Sequence, residues 1–217
     1  MIALETIPTK EKILDAAVRL FSARGYSRVS MRDIAREVGI KAASIYNHFS
    51  SKSDILKSLY KYYATQRETY APRVEDLLEL AETASPAEVL AKMVYHYPPE
   101  ILDKMDSIVI IAGQELCSGE GGEEFLREHL YDMTLDIVMP VLEKLIALGK
   151  IEPINVRYFT LLLTNYDISA ALLNKTSMRS DLEQWQSCLS LLFSLIKCTD
   201  DSTKDSTKNT SHDERNR

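Results

Sequence analysis

Apolar side chains recur along this chain at spacings of three and four. Between about Lys10 and Arg24, Ile13, Ala17, Leu20 and Phe21 fall at i, i+4, i+7 and i+8, which is one face of an α-helix. Thr9 is placed to cap its start and Gly25 to end it. Ser30 with Asp33 forms a capping-box pattern that opens a second, short helix, and Gly39 marks a tight turn into a third. Ser51 with Asp54 repeats the capping pattern for a helix from about Lys52 to Tyr70. That helix turns Ile55, Leu56, Leu59 and Tyr63 inward, and Pro72 follows as a stop.

Further on, Ser85-Pro86-Ala87-Glu88 combines an N-cap, a proline at the first helical position and an acid three residues later. Pro98-Pro99 begins another helix, which ends near the loop at 118–122. A long helix from Glu123 to Leu148 follows, with Pro140 expected to kink it and Gly149 to end it. Asn155 caps a helix from Val156 to Leu173, and Ser180 with Glu183 opens the last, to about Lys197. Residues 199–217 are polar and charged without large apolar side chains, the composition of a disordered tail. Val, Ile and Thr nowhere cluster into alternating strands, and the chain has only seven glycines. The expected fold class is all-α.

Composition narrows the function classes. The longest apolar run, Ile108–Ala112, is far short of the ~20 residues of a membrane span, and the first residues lack a charged-then-apolar signal pattern. Three cysteines, Cys117, Cys188 and Cys198, are an odd number without metal-type spacing. Reduced thiols in a cytoplasmic protein without metal or cofactor are the expectation. Charge is unevenly spread. Residues 1–70 hold 12 of the 26 Lys/Arg and 7 of the 32 Asp/Glu, a net +5 against −11 for the remainder. One end is therefore suited to phosphate and the other is not.

The basic end contains the pattern with chemistry. Two short helices joined at Gly39, with a further helix opening after Ser51, have the layout of a helix-turn-helix, whose second helix enters the DNA major groove. Ala35 allows the helices to approach closely, while Ile34, Val38, Ile40, Ile45 and Phe49 are spaced to lock the pair onto the first helix. Small, polar and basic residues are left outside, as groove contact requires.

Residues 9–63 resemble the N-terminal domain of the tetracycline-repressor-like (TetR) family of bacterial regulators. The likeness runs through Ile13-Leu14-Asp15-Ala16-Ala17, Leu20-Phe21, Gly25-Tyr26, Met31-Arg32-Asp33-Ile34-Ala35 and Val38-Gly39-Ile40. It is most specific at Ser44-Ile45-Tyr46-Asn47-His48-Phe49 and Lys52. It implies that Tyr46, His48 and Lys52 contact phosphates, that Ser30 and Arg32 reach the backbone or a base edge, and that Lys41, Ala42, Ala43 and Ser44 face the bases. Ala43 stands where many members have Gly or Pro. Base reading would lean on Lys41, Arg32 and Asn47, with the Ala42 methyl against thymine.

The resemblance further implies a palindromic double-stranded operator, a homodimer, and a C-terminal α-helical domain that binds a small-molecule effector. The organisation expected is a DNA-binding domain at 1–50, a connecting helix at 51–70, a ligand-binding and dimerisation domain at 71–198, and the tail. Val156–Leu173 and Leu182–Ile196 are apolar on more than one face, which a symmetric four-helix interface would satisfy. A mixture of aromatic, soft and polar groups suits a pocket for a lipophilic effector, and the candidates are Tyr95, Met105, Gln114, Cys117, His129, Met133 and Tyr166. Cys117 and His129 have no motif context as a nucleophile and base, so an enzyme is not expected. The alternative is a helix-turn-helix scaffold acting through protein partners, without operator specificity.

Overall fold

A computed structural model describes residues 7–93, 98–116, 119–173 and 196–198. All its regular elements are helical: α1 (Thr9–Arg24), α2 (Met31–Val38), α3 (Ala42–Ile45), α4 (Lys52–Tyr70), α5 (Val74–Thr83), α6 (Pro86–Met93), α7 (Pro99–Gln114), α8 (Gly122–Leu126), α9 (Met133–Ala147) and α10 (Val156–Leu173). A 3₁₀ turn, Tyr26–Arg28, follows α1. The expected last helix lies outside the described residues except at its end, where Ile196 is buried and Ile151 bridges Cys198. The tail also lies outside them.

Local chemistry accounts for most boundaries. The start of α1 differs from expectation by one residue. Thr9 is already helical, and Pro8, its φ held at −54° by the ring, occupies the cap and accepts from the Glu11 and Lys12 amides at 3.0 and 3.2 Å. Ser30 and Asp33 close a reciprocal capping box on α2. At α4, Ser51 Oγ accepts from the Asp54 amide at 3.0 Å, but the Asp54 carboxylate reaches one residue further back, to the Ser50 amide at 2.9 Å. Ser85 and Glu88 cap α6 reciprocally, and Asn155 Oδ1 accepts from the Tyr158 amide at the head of α10.

Two elements depart from the hydrophobic pattern. Helix α5 fills a stretch to which the pattern assigns nothing, because only Leu77 and Ala81, one turn apart, are fully buried on it. It is anchored from a distance. Lys150 Nζ donates to the Ala81, Glu82 and Ala84 carbonyls at 2.8, 3.2 and 2.8 Å, a cationic cap on its C-terminal end. The helix expected from Glu123 to Leu148 is divided. α8 passes through a π-helical turn, Arg127–Asp132, into α9, which carries Pro140 within it.

The buried side chains form two clusters, and their division does not follow chain order. The first contains the inner faces of α1 to α4 together with Met105, Ile108, Ile111 and Ala112 of α7 and Phe125, Leu126 and Leu130 at α8 and the π-turn. The second joins α5, α6, α9, α10 and Ile196. Helix α7 thus builds the core of the N-terminal region although nearly thirty residues separate it from the end of α4. α8 closes onto α7 at Gly122, where a Cβ would lie 2.4 Å from the Ala112 carbonyl oxygen and 3.0 Å from the Glu115 carbonyl carbon. Backbone on both sides leaves no room to yield. Gly122→Ala is expected to lower stability by about 1–3 kcal/mol, read as a lower thermal midpoint; an unchanged midpoint would mean that α8 does not dock this closely.

Candidate nucleic-acid interface

The α2–α3 pair is held from beneath and bare on top. Gly39, at φ 77°, occupies the left-handed region that lets the chain reverse, and the Gly39 and Ile40 amides bond back to Arg36 and Ala35 of α2 at 3.2 and 3.0 Å. Ile34, Ala35, Ile45 and Phe49 are buried against α1 and α4. Only one regular turn of α3 is α-helical. The segment continues as tightened turns, with the Asn47, His48 and Phe49 amides bonding to Ser44 and Ile45 carbonyls at 3.0–3.3 Å.

The residues expected at DNA are carried together on the outer side. Lys41, Ala42, Ala43, Asn47 and His48 are exposed, Tyr46 is 56% exposed and Ser44 is half-buried. Ser30 and Arg32 are exposed at the start of α2. Nearby charges are partly consumed in pairs: Arg36 with Asp33 at 3.2 Å, and Arg19 of α1 with Glu37 at 3.5 Å. Hydrogen bonds from Ser30 hold the half-buried Asp33 carboxyl below the usual carboxylate range, so the cap is ionised at neutral pH.

Lys52 is placed differently from the other expected contacts. Its ammonium turns toward the protein, donating to the Tyr26 carbonyl at 2.8 Å and lying 4.0 Å from the centre of the Tyr26 ring. A cation absent from the expected set, Lys10 on the first turn of α1, extends to 5.4 Å from the centre of the Phe49 ring. Lys10 stands one turn before Ile13, on the edge of the buried face; that spacing was a usable signal.

Among the described residues, Lys104, Gln114 and Glu120 tie this head to α7 and the loop after it. Lys104 pairs with Asp15 of α1 at 2.6 Å and lies 4.3 Å over the Tyr62 ring of α4. Gln114 Nε2 donates to the Ser22 carbonyl at 3.4 Å. Glu120 accepts from the Tyr26 hydroxyl at 3.4 Å and from Ser53 Oγ at 3.3 Å. Burial, and then the Glu120 charge, push the Tyr26 phenol up to about 12, so it stays a neutral donor.

The effector candidates separate. Met105 is buried in the first core, His129 lies on the π-turn, and Met133 is half-buried against the second core. Gln114 faces α1 as above. Tyr95 and Cys117 lie outside the described residues, as does the side chain of Tyr166. Arg67, unassigned from sequence although it follows Tyr63 by one turn, is buried and donates to Thr134 Oγ1 at 3.4 Å, joining α4 to α9. The described residues contain no group of three or more potential metal ligands, and none of their helices is long and apolar enough to cross a membrane.

Residues 13–63 match the family model for bacterial regulatory proteins of the tetR family. The uncharacterized HTH-type transcriptional regulator YerO of Bacillus subtilis is 29% identical over 127 residues, 58% of this chain and 42% of that one. The biofilm operon icaADBC HTH-type negative transcriptional regulator IcaR of Staphylococcus aureus is 48% identical over 52 residues, 24% of this chain and 28% of the relative. The chain thus matches less than half the length of either relative. Among solved structures, the ketosteroid transcriptional regulator KstR2 of Mycobacterium tuberculosis shares the fold with a TM-score of 0.59 at 19% identity, over 91% of this chain and 99% of that one. A protein from Saccharomonospora viridis, described as a transcriptional regulator in complex with choline, does so with a TM-score of 0.58 at 21% identity, over 88% and 98%. The fold is that of an N-terminal helix-turn-helix followed by a helical C-terminal domain.

His129 gives this arrangement a pH signature. Its ring centre lies 5.2 Å from that of Phe125 and 6.5 Å from that of Tyr63, and burial, opposed by Glu128 and reinforced by Arg67, lowers its pKa below 6.5. The folded protein then binds this proton less readily than the unfolded chain. Stability is expected to fall as pH drops through 6.5 and to level off below the folded pKa. Between about pH 7.5 and about pH 5 the urea midpoint of His129→Phe should fall less than that of the parent; equal falls would show His129 to be freely solvated.

Proposed function

We propose, from the premise that the chain is a TetR-family transcriptional regulator, that it binds a palindromic operator as a homodimer, represses, and is released by a small lipophilic effector. The observation that carries the proposal is the outward face of α3, where small, polar and basic side chains stand exposed on a fully buried scaffold. Ala42 and Ala43 permit close approach to the bases, Lys41, Arg32 and Asn47 supply donors to their edges, and Tyr46 and His48 reach phosphates. Repression is supported by the similarity of the head to that of IcaR, a negative regulator.

A single turn of helix reads few bases, so useful specificity requires two copies about one DNA turn apart. Helix α10 supports a two-fold contact. Tyr158 and Leu162, one turn apart, are 67% and 54% exposed, an apolar stripe on a helix whose other side is buried. An effector would act by binding one spacing of the two heads better than another. The seam between the two cores, at the π-turn that carries His129, is the region for it, and the choline bound by the S. viridis protein supports a ligand in this fold. The family is one of regulators and not of enzymes.

Selection from random duplex DNA is expected to return a palindrome. Asn47→Ala should weaken its binding by about 1–3 kcal/mol and relax preference at one position in each half-site. Leu162→Glu should sediment as a monomer and lose the palindrome. Recovery of no enriched sequence by folded protein, or full operator affinity in a monomeric Leu162→Glu, would overturn the proposal.

A further inference from the structure

Of the residues that join the head to the chain beyond it, Glu120 is set apart by what carries it and by what it reaches. It lies in Gly119-Glu120-Gly121-Gly122, where it has the one side chain able to hold the loop. Gly119 and Gly121, at φ 75° and 83°, turn the backbone through the left-handed region on either side of it. Behind the loop, Gly119, Gly121 and Gly122 line an open cavity of about 310 Å³ together with Glu115, Leu116 and Arg127. Packing therefore leaves the tip of the loop unsupported on that side.

On the other side the Glu120 carboxylate accepts from the Tyr26 hydroxyl at 3.4 Å and from Ser53 Oγ at 3.3 Å. Tyr26 belongs to the 3₁₀ turn that feeds α2, and Ser53 to the first turn of α4, just past the recognition segment. One carboxylate thus pins the entry and the exit of the α2–α3 pair, whereas Lys104 and Gln114 bind α1 behind it, at Asp15 and the Ser22 carbonyl. Both donors are held in place: the Tyr26 ring is buried edge-on to Phe21 at 5.1 Å, and Ser53 is half-buried. Glu120 itself is exposed, so lifting the loop costs two hydrogen bonds and strands no charge. In the other direction the loop opens α8 and runs through the π-turn into α9, which packs with α10 in the second core. One path from the two-fold contact proposed on α10 to the reading pair therefore passes through Glu120.

We propose that Glu120 is a positioning residue that holds each reading head at a fixed angle to the dimer contact and thereby sets the half-site spacing the dimer accepts. This rests on the DNA-reading homodimer proposed above. One base pair inserted at the centre of a palindrome moves the half-sites apart by about 3.4 Å and turns them by about 35°. Heads strapped by Glu120 meet that operator only by giving up its bonds, a loss on the scale of about tenfold in affinity. Heads without the strap give up nothing.

The test compares affinity for the palindrome recovered by selection with that for the same half-sites one base pair further apart, and repeats it with one base changed inside each half-site. Glu120→Ala should reduce the preference for the selected spacing about tenfold and keep the parent's penalty for the changed base. Glu120→Gln, whose amide oxygen accepts the same two bonds, should keep most of the spacing preference. Tyr26→Phe with Ser53→Ala removes both donors and leaves the loop intact. That double variant should match Glu120→Ala, so the outcome does not hang on one variant folding. A parent preference in Glu120→Ala or in the double variant, a Glu120→Gln that behaves as Glu120→Ala, or a fall in affinity shared equally by the two spacings overturns the proposal. If the parent recovers no palindrome, the DNA-reading role fails first and this assignment with it.

Discussion

The seating of α7 along α1 is the contact on which the remaining architecture depends. The α1–α4 head is small, and α1 at its centre is buried around most of its circumference. Met105, Ile108, Ile111 and Ala112 of α7 complete that core from a distant part of the chain. Lys104 on Asp15 and Gln114 on the Ser22 carbonyl fix the register at either end, and Glu120 holds the next loop to Tyr26 and Ser53. Buried apolar area supplies the attraction, and the polar contacts select one angle among those the apolar faces would accept. The exposed residues of α2 and α3 inherit their orientation from this seam.

A head cemented to α7 makes communication with the rest of the molecule a matter of mechanics. The second core, of α5, α6, α9 and α10, meets the first at a few places: Arg67 of α4 against Thr134, the π-turn between α8 and α9, and Ile168 of α10 reaching the first cluster. Packed cores shift as units, so a rearrangement at this seam moves α7 and the head together. A π-turn at the joint is consistent with a place where one helical register yields to another. An effector of the kind proposed would need only a difference in affinity between two such placements.

What was legible in the sequence were the features that local chemistry decides. Ser30–Asp33, Ser85–Glu88, Asn155, Gly25 and Gly39 act through their own backbone and neighbours, and they stand where the pattern put them. The family resemblance shared only Gly25, Asp33 and Gly39 with these and was most specific at Ser44–Phe49 and Lys52. What escaped depends on distant partners. The start of α5 has no cap, and the helix is held by Lys150 from some seventy residues away. The π-turn reflects how Phe125 and Leu130 pack on the first core, which a run of helix-forming residues does not record. Lys52 was expected at a phosphate and Gln114 in a pocket, and sequence names a side chain without its direction. In the structure each donates to a backbone carbonyl across the seam between elements.

Native-state hydrogen exchange under rising denaturant tests most directly whether α7 is part of the reading head. The amides of Met105–Ala112 are predicted to merge with those of α1 and α4 into one cooperative opening, distinct from that of Ile137–Leu145 in α9. Merging of the α7 amides with the α9 unit, while α1–α4 open separately, would contradict the coupling of head and body described above.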